Sequence, residues 1–177
     1  MYRESTGVPL IVAGPGVPAG QVCRTNANLI DVAPTILESA GVRPEPDPRP
    51  LPGRSLVALA NATDDRERLG FSEYHAVGSP SGAFMLARGR FKYHYYVGFP
   101  PELFDLEGDP EEARDLAPDP GHAPVLREFE TELRAMLDPE AVDRRAKNDQ
   151  NALVERFGGR ERALKKGPPG ATPVPGV

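Results

Sequence analysis

Two residues of this sequence have the types and the spacing of a small binding site. Glu73 and His75 stand two positions apart in "FSEYHA", a run that favours a β-strand, so their side chains point the same way. The flexible stretch "GSPSG" follows directly. A strand end beside a loop can present a carboxylate and an imidazole at the edge of a cleft. The alternative interpretation is a surface carboxylate and a surface imidazole with no function.

The sequence has no recognisable nucleophile or phosphate-binding loop. Cys23 is the single thiol, only Arg24 beside it is basic, and no G-x-S-x-G elbow occurs. We therefore interpret Cys23 as a small buried hydrophobic residue near a sheet edge. The glycine-rich "GPGVPAG" lacks the Lys-Ser/Thr pair of a phosphate loop. One cysteine also excludes an internal disulfide framework.

Metal ligation is equally weakly indicated. The three histidines match no zinc spacing: they are His75, His94 and His122. Asp64 and Asp65 lie in a polar stretch in which paired acids are usually solvated. Acids alternate from Asp105 to Glu111 as in an EF-hand loop, but Pro110 stands where such a loop needs glycine. We therefore expect no metal ligand in this chain.

Aromatic residues alternate in "RFKYHYY" as in a strand with one face against a helix. One predicted face carries Phe91, Tyr93 and Tyr95, and the other carries Lys92, His94 and Tyr96. Stacking on nucleic-acid bases would need a basic groove, whereas the net charge of these 177 residues is -5. We therefore interpret the aromatic residues as packing and expect no nucleic-acid partner.

The first third of the chain predicts one buried strand and one helix. Pro9 to Ala13 is a short apolar run closed by "GPG", which is typical of a strand in a parallel sheet. The run "NANLIDVAPTILESAGV" predicts a helix with Asp31 as N-cap and Gly41 as its stop. The dense prolines from Arg43 to Arg54 indicate a connector.

The rest of the chain predicts a small sheet and several helices. Three strands are indicated by "FSEYHA", "GAFMLAR" and "RFKYHYY", with Arg88 and Gly89 closing a hairpin and "ELFDL" as a short fourth strand. Asp109 and Glu112 have capping-box spacing, which predicts a compact helix there. An apolar stripe from Val125 to Leu137 predicts a longer helix lying on the sheet. The following polar stretch predicts one or two further helices and a proline-rich tail.

Val8 to Ala13 is too short for an export signal or a membrane span. We therefore expect no membrane partner and take the cytoplasm as the default location, although this carries little weight if Met1 is not the natural start.

In order, these pieces resemble the C-terminal part of the sulfatases of the alkaline-phosphatase superfamily. The matching stretches cover nearly the whole chain: "MYRESTGVPLIVAGPGVPAG", "NLIDVAPTILESAGV", "LPGRSLVAL", "FSEYHA", and "ARGRFKYHYY" with "PELFDLEGDPEEARDLA". The tail "GGRERALKKGPPGATPVPG" is similar to the end of bacterial members.

The resemblance implies an α/β (α+β) fold in four parts. Residues 1–45 would be the last strand and helix of a large α/β core, and 46–69 a proline-rich linker. Residues 70–147 would form a small subdomain, in which a helix packs on a four-stranded antiparallel sheet. Residues 148–177 would be a helical and proline-rich tail.

The resemblance also implies a chemistry that this chain cannot complete. Family members hydrolyse sulfate esters with a formylglycine made in C/S-x-P/A-x-R, beside a divalent cation, usually calcium. Here Cys23 is followed by "RTNA", and the family's acidic metal ligands have no counterpart. Residue by residue, only His75 carries over as a substrate contact, with Glu73 as a weaker one; no catalytic residue and no cofactor is assigned.

We therefore predict a C-terminal fragment of a sulfatase-like hydrolase that is inactive alone and meets a sulfate-ester substrate only in a complete protein. It would begin at an internal methionine or come from a truncated gene. The alternatives are a non-catalytic binding or structural module and a fragment of a phosphonate or phosphate ester hydrolase. The apolar strand predicted at the N-terminus would be a site of association with other chains.

Overall fold

The computed structural model describes residues 1–42, 52–76 and 78–162. Five α-helices and four strands are formed in these ranges: α1 (Arg3–Thr6), α2 (Val32–Ser39), α3 (Leu56–Ala60), β1 (Gly70–Tyr74), β2 (Ala83–Arg88), β3 (Phe91–Tyr96), β4 (Glu102–Asp105), α4 (Ala123–Met136) and α5 (Pro139–Arg156). Short 3-10 helices precede α2 and α4. No helix within these ranges is long and apolar enough to cross a membrane.

The strands form one antiparallel sheet in the order β1-β2-β3-β4. The predicted sheet, including its short fourth strand, is therefore confirmed. The hairpin prediction was wrong by one residue, because Arg88 pairs with Phe91 and the turn consists of Gly89 and Arg90. Gly89 has a φ of 58°, which glycine adopts without the steric cost that a side chain would bring.

One face of the sheet, here called the front face, packs against α4. Phe129 and Leu133 of α4 are buried in the same core cluster as Leu86 and Tyr93 of the sheet. The Phe129 ring stacks on Tyr93 with centroids 5.8 Å apart. The predicted amphipathic helix and the packing role of the odd-numbered aromatic residues of β3 are confirmed.

The opposite face, here called the back face, is covered by the first residues of the chain. Tyr2 places its ring 5.7 Å from Phe104 of β4, and Thr6 lies against Lys92 of β3. Asn26 donates a hydrogen bond to the carbonyl oxygen of Ala87, which ties the segment before α2 to β2. The N-terminal residues therefore pack on the sheet directly, while the predicted boundary at residue 45 stays a prediction.

The strand predicted at Pro9–Ala13 is not formed. These residues have irregular backbone, and Ile11 has 90% of its surface exposed. A strand of a parallel sheet needs hydrogen-bonding neighbours, and the sheet of the described residues offers none beside this segment. The segment is apolar, but its backbone is irregular and not the predicted strand.

The helix predicted after Asp31 is confirmed as α2. It ends at Ser39, two residues before Gly41, whose φ is 67°. The compact helix predicted from Asp109 is wrong, because residues 109–115 contain a turn at Pro110 and Glu111 and a bend at Arg114 but no helix. Glu112 has a φ of 54° there, in the left-handed region, so a helix cannot run through it. Residues 43–51, where most of the proline-rich connector was predicted, and the tail from residue 163 lie outside the described residues.

Candidate functional site

The predicted pair Glu73 and His75 lies on the front face at the edge of the sheet. Glu73 is the fourth residue of β1 and pairs with Phe84, and His75 follows the end of the strand. The Nε2 atom of His75 is 3.5 Å from Oε2 of Glu73. The structure thus brings the two predicted residues together in a weakly bonded pair, with 45% of the Glu73 side chain exposed.

The two nitrogens of His75 are in different surroundings. Only 19% of the side chain is exposed, and its ring packs edge-on against Phe84 at a centroid distance of 5.3 Å. Nδ1 is buried and has no hydrogen-bond partner among the described residues. Nε2 is the nitrogen that faces Glu73. It is therefore the atom of this ring best placed to meet a ligand.

Gly82, at the far end of the loop, makes room for the His75 ring. A Cβ atom at this position would lie 2.9 Å from Cε1 of His75 and 3.3 Å from Cβ of Asp143. Both distances are shorter than ordinary van der Waals contacts, so even alanine would displace the imidazole or the helix behind it. The glycine is needed here for space and not for its backbone conformation.

Sequence reasoning missed the part of α5 that holds this loop. Asp143 accepts a hydrogen bond from the backbone N–H of Gly82 at 2.7 Å and one from Nζ of Lys147 at 2.8 Å. Gln150 donates its side-chain amide to the backbone carbonyl of His75. The spacing i, i+4, i+7 of these three residues on one helix face was a usable signal, but it does not show what the face meets.

The carboxyl of Asp143 has its charge stabilised in place. Burial by itself would raise its pKa, but the hydrogen bonds from Lys147 and Gly82 and the charge of Lys147 outweigh burial, and the pKa is lowered. The Asp143 side chain is only 8% exposed. It is therefore a buried anion whose attachment to Gly82 is charge-assisted.

A second polar cluster lies on the back face around Lys92. Nζ of Lys92 is 2.8 Å and 3.0 Å from the two carboxylate oxygens of Glu112, and their side chains are 4% and 2% exposed. Thr6 Oγ1 completes the surroundings at 3.3 Å. The sequence assigned Glu112 to a helix cap, so this buried ion pair was missed.

A third cluster, also on the back face, surrounds Glu102. His94 Nδ1 is 3.1 Å from Oε2 of Glu102, and the hydroxyls of Tyr2 and Tyr96 each donate to its carboxylate at 2.8 Å. Burial would raise the pKa of Glu102, but these three bonds lower it overall. Burial, followed by the bond to Glu102, raises the pKa of Tyr2 to about 12. The cluster anchors the N-terminal residues to the sheet.

A cavity of about 890 Å³ separates part of the N-terminal segment from the back face. Its wall includes Lys92 and Glu112 on the sheet side and apolar residues such as Val8 and Leu29 on the other. Val8 is 73% and Leu29 88% exposed. The cavity is therefore open, and its rim is an apolar surface without a partner in the described part of the chain.

The remaining sequence candidates have structural roles. Cys23 is exposed, so the prediction of a buried hydrophobic residue is wrong: the segment around it has irregular backbone at the surface, where the neighbouring Arg24 donates its N–H to Asp64. Asp65 accepts from the N–H of Glu67 within a turn. Within the described ranges no group of three His, Cys, Asp or Glu residues is placed to hold a metal ion. The described residues therefore do not fit a calcium site, and the sequence contains no C/S-x-P/A-x-R motif for a formylglycine.

Comparison with known proteins places this arrangement. Residues 1–138 match the family model of the N-sulphoglucosamine sulphohydrolase C-terminal domain. The chain is 32% identical over 155 residues to arylsulfatase K of Danio rerio and 36% identical over 154 residues to choline-sulfatase of Rhizobium meliloti. These matches cover 81% and 84% of this chain, but only 28% and 29% of those proteins. The chain thus spans less than a third of the curated relatives it matches.

Solved structures give the same result. A 2-O GAG sulfatase matches with a TM-score of 0.56 at 26% identity, over 79% of this chain and 30% of that chain. The phosphonate monoester hydrolase of Silicibacter pomeroyi matches with a TM-score of 0.57 at 27% identity, over 70% of this chain and 27% of that chain. The helix-covered antiparallel sheet and the match over residues 1–138 agree: the chain belongs to the family of sulfatase C-terminal domains.

Proposed function

We propose that this chain is the part of a sulfuric ester hydrolase that borders the substrate cleft, with His75 as its substrate contact. The observation that carries the proposal is the His75–Glu73 pair, held at an open sheet edge inside a domain that matches the sulfatase C-terminal family. A cleft residue needs an accessible polar atom on a fixed framework. His75 meets this requirement, since its ring is packed while Nε2 faces outward toward Glu73.

The chemistry of the pair suits an ester of an anionic group. When protonated at Nε2, His75 donates a hydrogen bond to an ester or sulfate oxygen, all of which are acceptors. Glu73 accepts from a hydroxyl or pairs with a cation on the alcohol side of the ester. Sugar sulfates offer such a hydroxyl and choline sulfate such a cation, and the names of the relatives indicate both kinds of ester. Binding rather than bond breaking is the proposed role of both residues.

We further propose that the chain does not hydrolyse esters alone. Cys23 is not followed by the residues that direct its conversion to formylglycine, and the described residues offer no cluster for a divalent cation. The nucleophile would come from a larger partner segment, which corresponds to the more than two thirds of each relative that this chain does not cover.

The exposed apolar surface is the proposed attachment to that catalytic part. Ile11 is 90% exposed, Val22 80% and Ile36 62%, and all three lie before residue 43. Exposed apolar residues that form a patch mark an interaction surface, and we propose that these residues contribute to one. The predicted association through an N-terminal strand is therefore retained as a proposal, with an irregular apolar segment in place of the strand.

A phosphonate or phosphate ester hydrolase is the second candidate. It is favoured by the likeness to the Silicibacter pomeroyi phosphonate monoester hydrolase. The two candidates differ in substrate: a sulfate monoester is a monoanion, and so is a phosphonate monoester, but their central atoms differ. His75 could donate to the oxygen atoms of either ester, so the two candidates are distinguished by measuring activity on a panel of substrates.

The test is a chimera with choline-sulfatase of Rhizobium meliloti. The portion of that enzyme that matches this chain is replaced by the 177-residue chain, and release of sulfate from choline sulfate and of alcohol from an aryl sulfate and an aryl phosphonate is measured. We expect sulfate release by the chimera and none by the isolated chain. Turnover by the isolated chain would contradict the division of roles.

The residue-level test uses a matched pair of histidine variants. His75→Ala in the chimera should raise KM for the sulfate ester about tenfold, the effect of one lost hydrogen bond of about 1.4 kcal/mol. His122→Ala is the control, because His122 lies outside the site; its ring is 3.0 Å from Asp119 and packs edge-on against Phe91. Equal KM values for the two variants in a folded, active chimera would remove His75 from the site.

A further inference from the structure

The loop that carries His75 is fastened at both of its ends by a single helix. The backbone carbonyl of its first residue, His75, accepts a hydrogen bond from the side chain of Gln150. The backbone N–H of its last residue before β2, Gly82, donates to Asp143. Both partners belong to α5. The two bonds fix the backbone on either side of the loop, so α5 determines where the imidazole stands.

This helix begins directly after the residues that match the family model. The family match ends at residue 138, and α5 begins at Pro139. The contacts that α5 makes with the His75 loop therefore lie outside the residues matched by that family model.

The helix is itself rigidly mounted on the core. Asp138 caps it by accepting from the N–H of Ala141, and Glu140 binds Arg134 of α4 and the hydroxyl of Tyr95 of β3. The hydrogen bonds from Arg134 and Tyr95 lower the pKa of Glu140 to about 2. Glu140 stays ionised at neutral pH, and it joins α4, α5 and the sheet.

The contacting side chains of α5 follow a single stripe. Glu140, Asp143, Lys147 and Gln150 are spaced 3, 4 and 3 residues apart, which places them on one face of a helix. The first contacts the core, the second Gly82 and the fourth His75, while Lys147 holds the Asp143 carboxylate at 2.8 Å. One face of α5 therefore contacts both the core and the loop that carries His75.

We propose that α5 is the positioning element of the His75 site, with Asp143 and Gln150 as its positioning residues and Gly82 as the space in which the imidazole packs. The importance of this geometry for substrate rests on the proposed function, but the positioning itself does not. If α5 is altered, His75 leaves its packing against Phe84, and Nε2 no longer points to a fixed place.

The test follows the His75 ring by NMR in the isolated 177-residue chain. The ring resonances are assigned from their loss in His75→Gln, and their chemical shifts report the ring current of Phe84 5.3 Å away. Asp143→Ala and Gln150→Ala should each shift the His75 resonances toward the values of a solvated histidine. Asp143→Asn keeps an acceptor for the Gly82 N–H and should restore most of the shift.

Two controls on the same helix separate positioning from a general loss of helix. Asp149→Ala and Asn151→Ala change exposed residues of α5 and should leave the His75 resonances unchanged. If Asp143→Ala does not fold, Gln150→Ala decides, because Gln150 is exposed and its removal takes away a single bond. The proposal is overturned if the His75 shifts in a folded Gln150→Ala or Asp143→Ala protein equal those of the unmodified chain.

The readout needs no substrate and so stands apart from the proposed function. His75 resonances that move in the α5 variants, together with a chimera insensitive to His75→Ala, would support positioning and reject substrate contact. His75 resonances that do not move in the α5 variants, together with a chimera whose KM rises in His75→Ala, would support substrate contact and reject positioning. In an active chimera, Asp143→Ala should raise KM about as much as His75→Ala does, while Asp143→Asn remains close to the unmodified chimera.

Discussion

The sharpest stability prediction concerns the buried ion pair of Lys92 and Glu112. Glu112→Gln keeps the length of the side chain and the left-handed backbone of this position, but it removes the negative charge. The Lys92 ammonium, in a side chain only 4% exposed, then has no anionic partner in contact. A buried charge without a counter-charge is the most costly outcome of a single polar substitution.

The magnitude follows from the burial and the geometry of the pair. Breaking a buried ion pair by removing one partner costs about 3–5 kcal/mol, and these two side chains are 4% and 2% exposed with two short N–O contacts. For a chain of this length each kcal/mol lowers Tm by about 2–4 °C. We therefore expect Glu112→Gln to lower Tm by about 6–20 °C.

The measurement is urea unfolding followed by far-ultraviolet circular dichroism, with thermal unfolding as a second measure. Glu111→Gln is the matched control: its neighbouring carboxylate is 76% exposed and contacts Arg3 at 3.4 Å. An exposed pair of this kind contributes about 0–1 kcal/mol. The control should thus keep nearly all of the free energy of unfolding.

A double variant tests the cause of the loss. Lys92→Met combined with Glu112→Gln removes both charges, and replacing a buried pair by uncharged groups costs far less than leaving one charge alone. The double variant should be more stable than Glu112→Gln alone. If it is less stable than the single variant, or if Glu112→Gln loses less than about 1 kcal/mol, the reasoning from burial is refuted.

Three further predictions use other parts of the fold. Asp31 is 0% exposed; burial would raise its pKa, but hydrogen bonds from Arg68 and two backbone N–H groups lower it, so its contribution to stability is present above the pKa of the unfolded chain and is lost as pH falls through the lowered pKa. Asp31→Asn should therefore flatten the acid-unfolding curve measured by circular dichroism, and a curve as steep as that of the unmodified chain would contradict the assignment. Phe129→Ala should cost about 3–5 kcal/mol in urea unfolding, because Phe129 is 2% exposed, whereas Phe157→Ala, at 63% exposure, should cost little; equal losses would contradict the core assignment. Ile11→Ser should reduce concentration-dependent association in sedimentation velocity, and unchanged association would remove this residue from the proposed apolar surface.

Sequence patterns predicted well those elements whose cause is local. The alternation in β3 divided its residues correctly between two faces, and the stripe from Val125 to Leu137 identified α4, because each pattern reflects which residues share one side of an element. The pair Glu73 and His75 was found for the same reason, since two residues apart on a strand means one side of the sheet.

Two of the wrong predictions, the strand at Pro9–Ala13 and the helix from Asp109, have one physical origin. Pro9–Ala13 has the composition of a buried strand, but a strand exists only where another strand accepts its hydrogen bonds. Glu112 has the spacing of a capping box, but in the structure it enters the back face to meet a lysine twenty positions earlier. The first segment has no partner strand in the described part of the chain, and the second has Lys92 as a partner, so contacts with distant residues decided both conformations.

The sequence by itself determined the sheet, the packed helix, the family and the pair at the sheet edge, because these depend on periodicities of two and of three to four residues and on ordered local motifs. Only the tertiary structure decided that Glu112 neutralises Lys92, that the N-terminal residues cover the back face, and that Asp143 and Gln150 hold the His75 loop. These contacts join residues that are at least 20 positions apart, and Tyr2 and Glu102 are 100 positions apart. No local pattern contains such pairings, since they arise only when the folded chain brings the elements together.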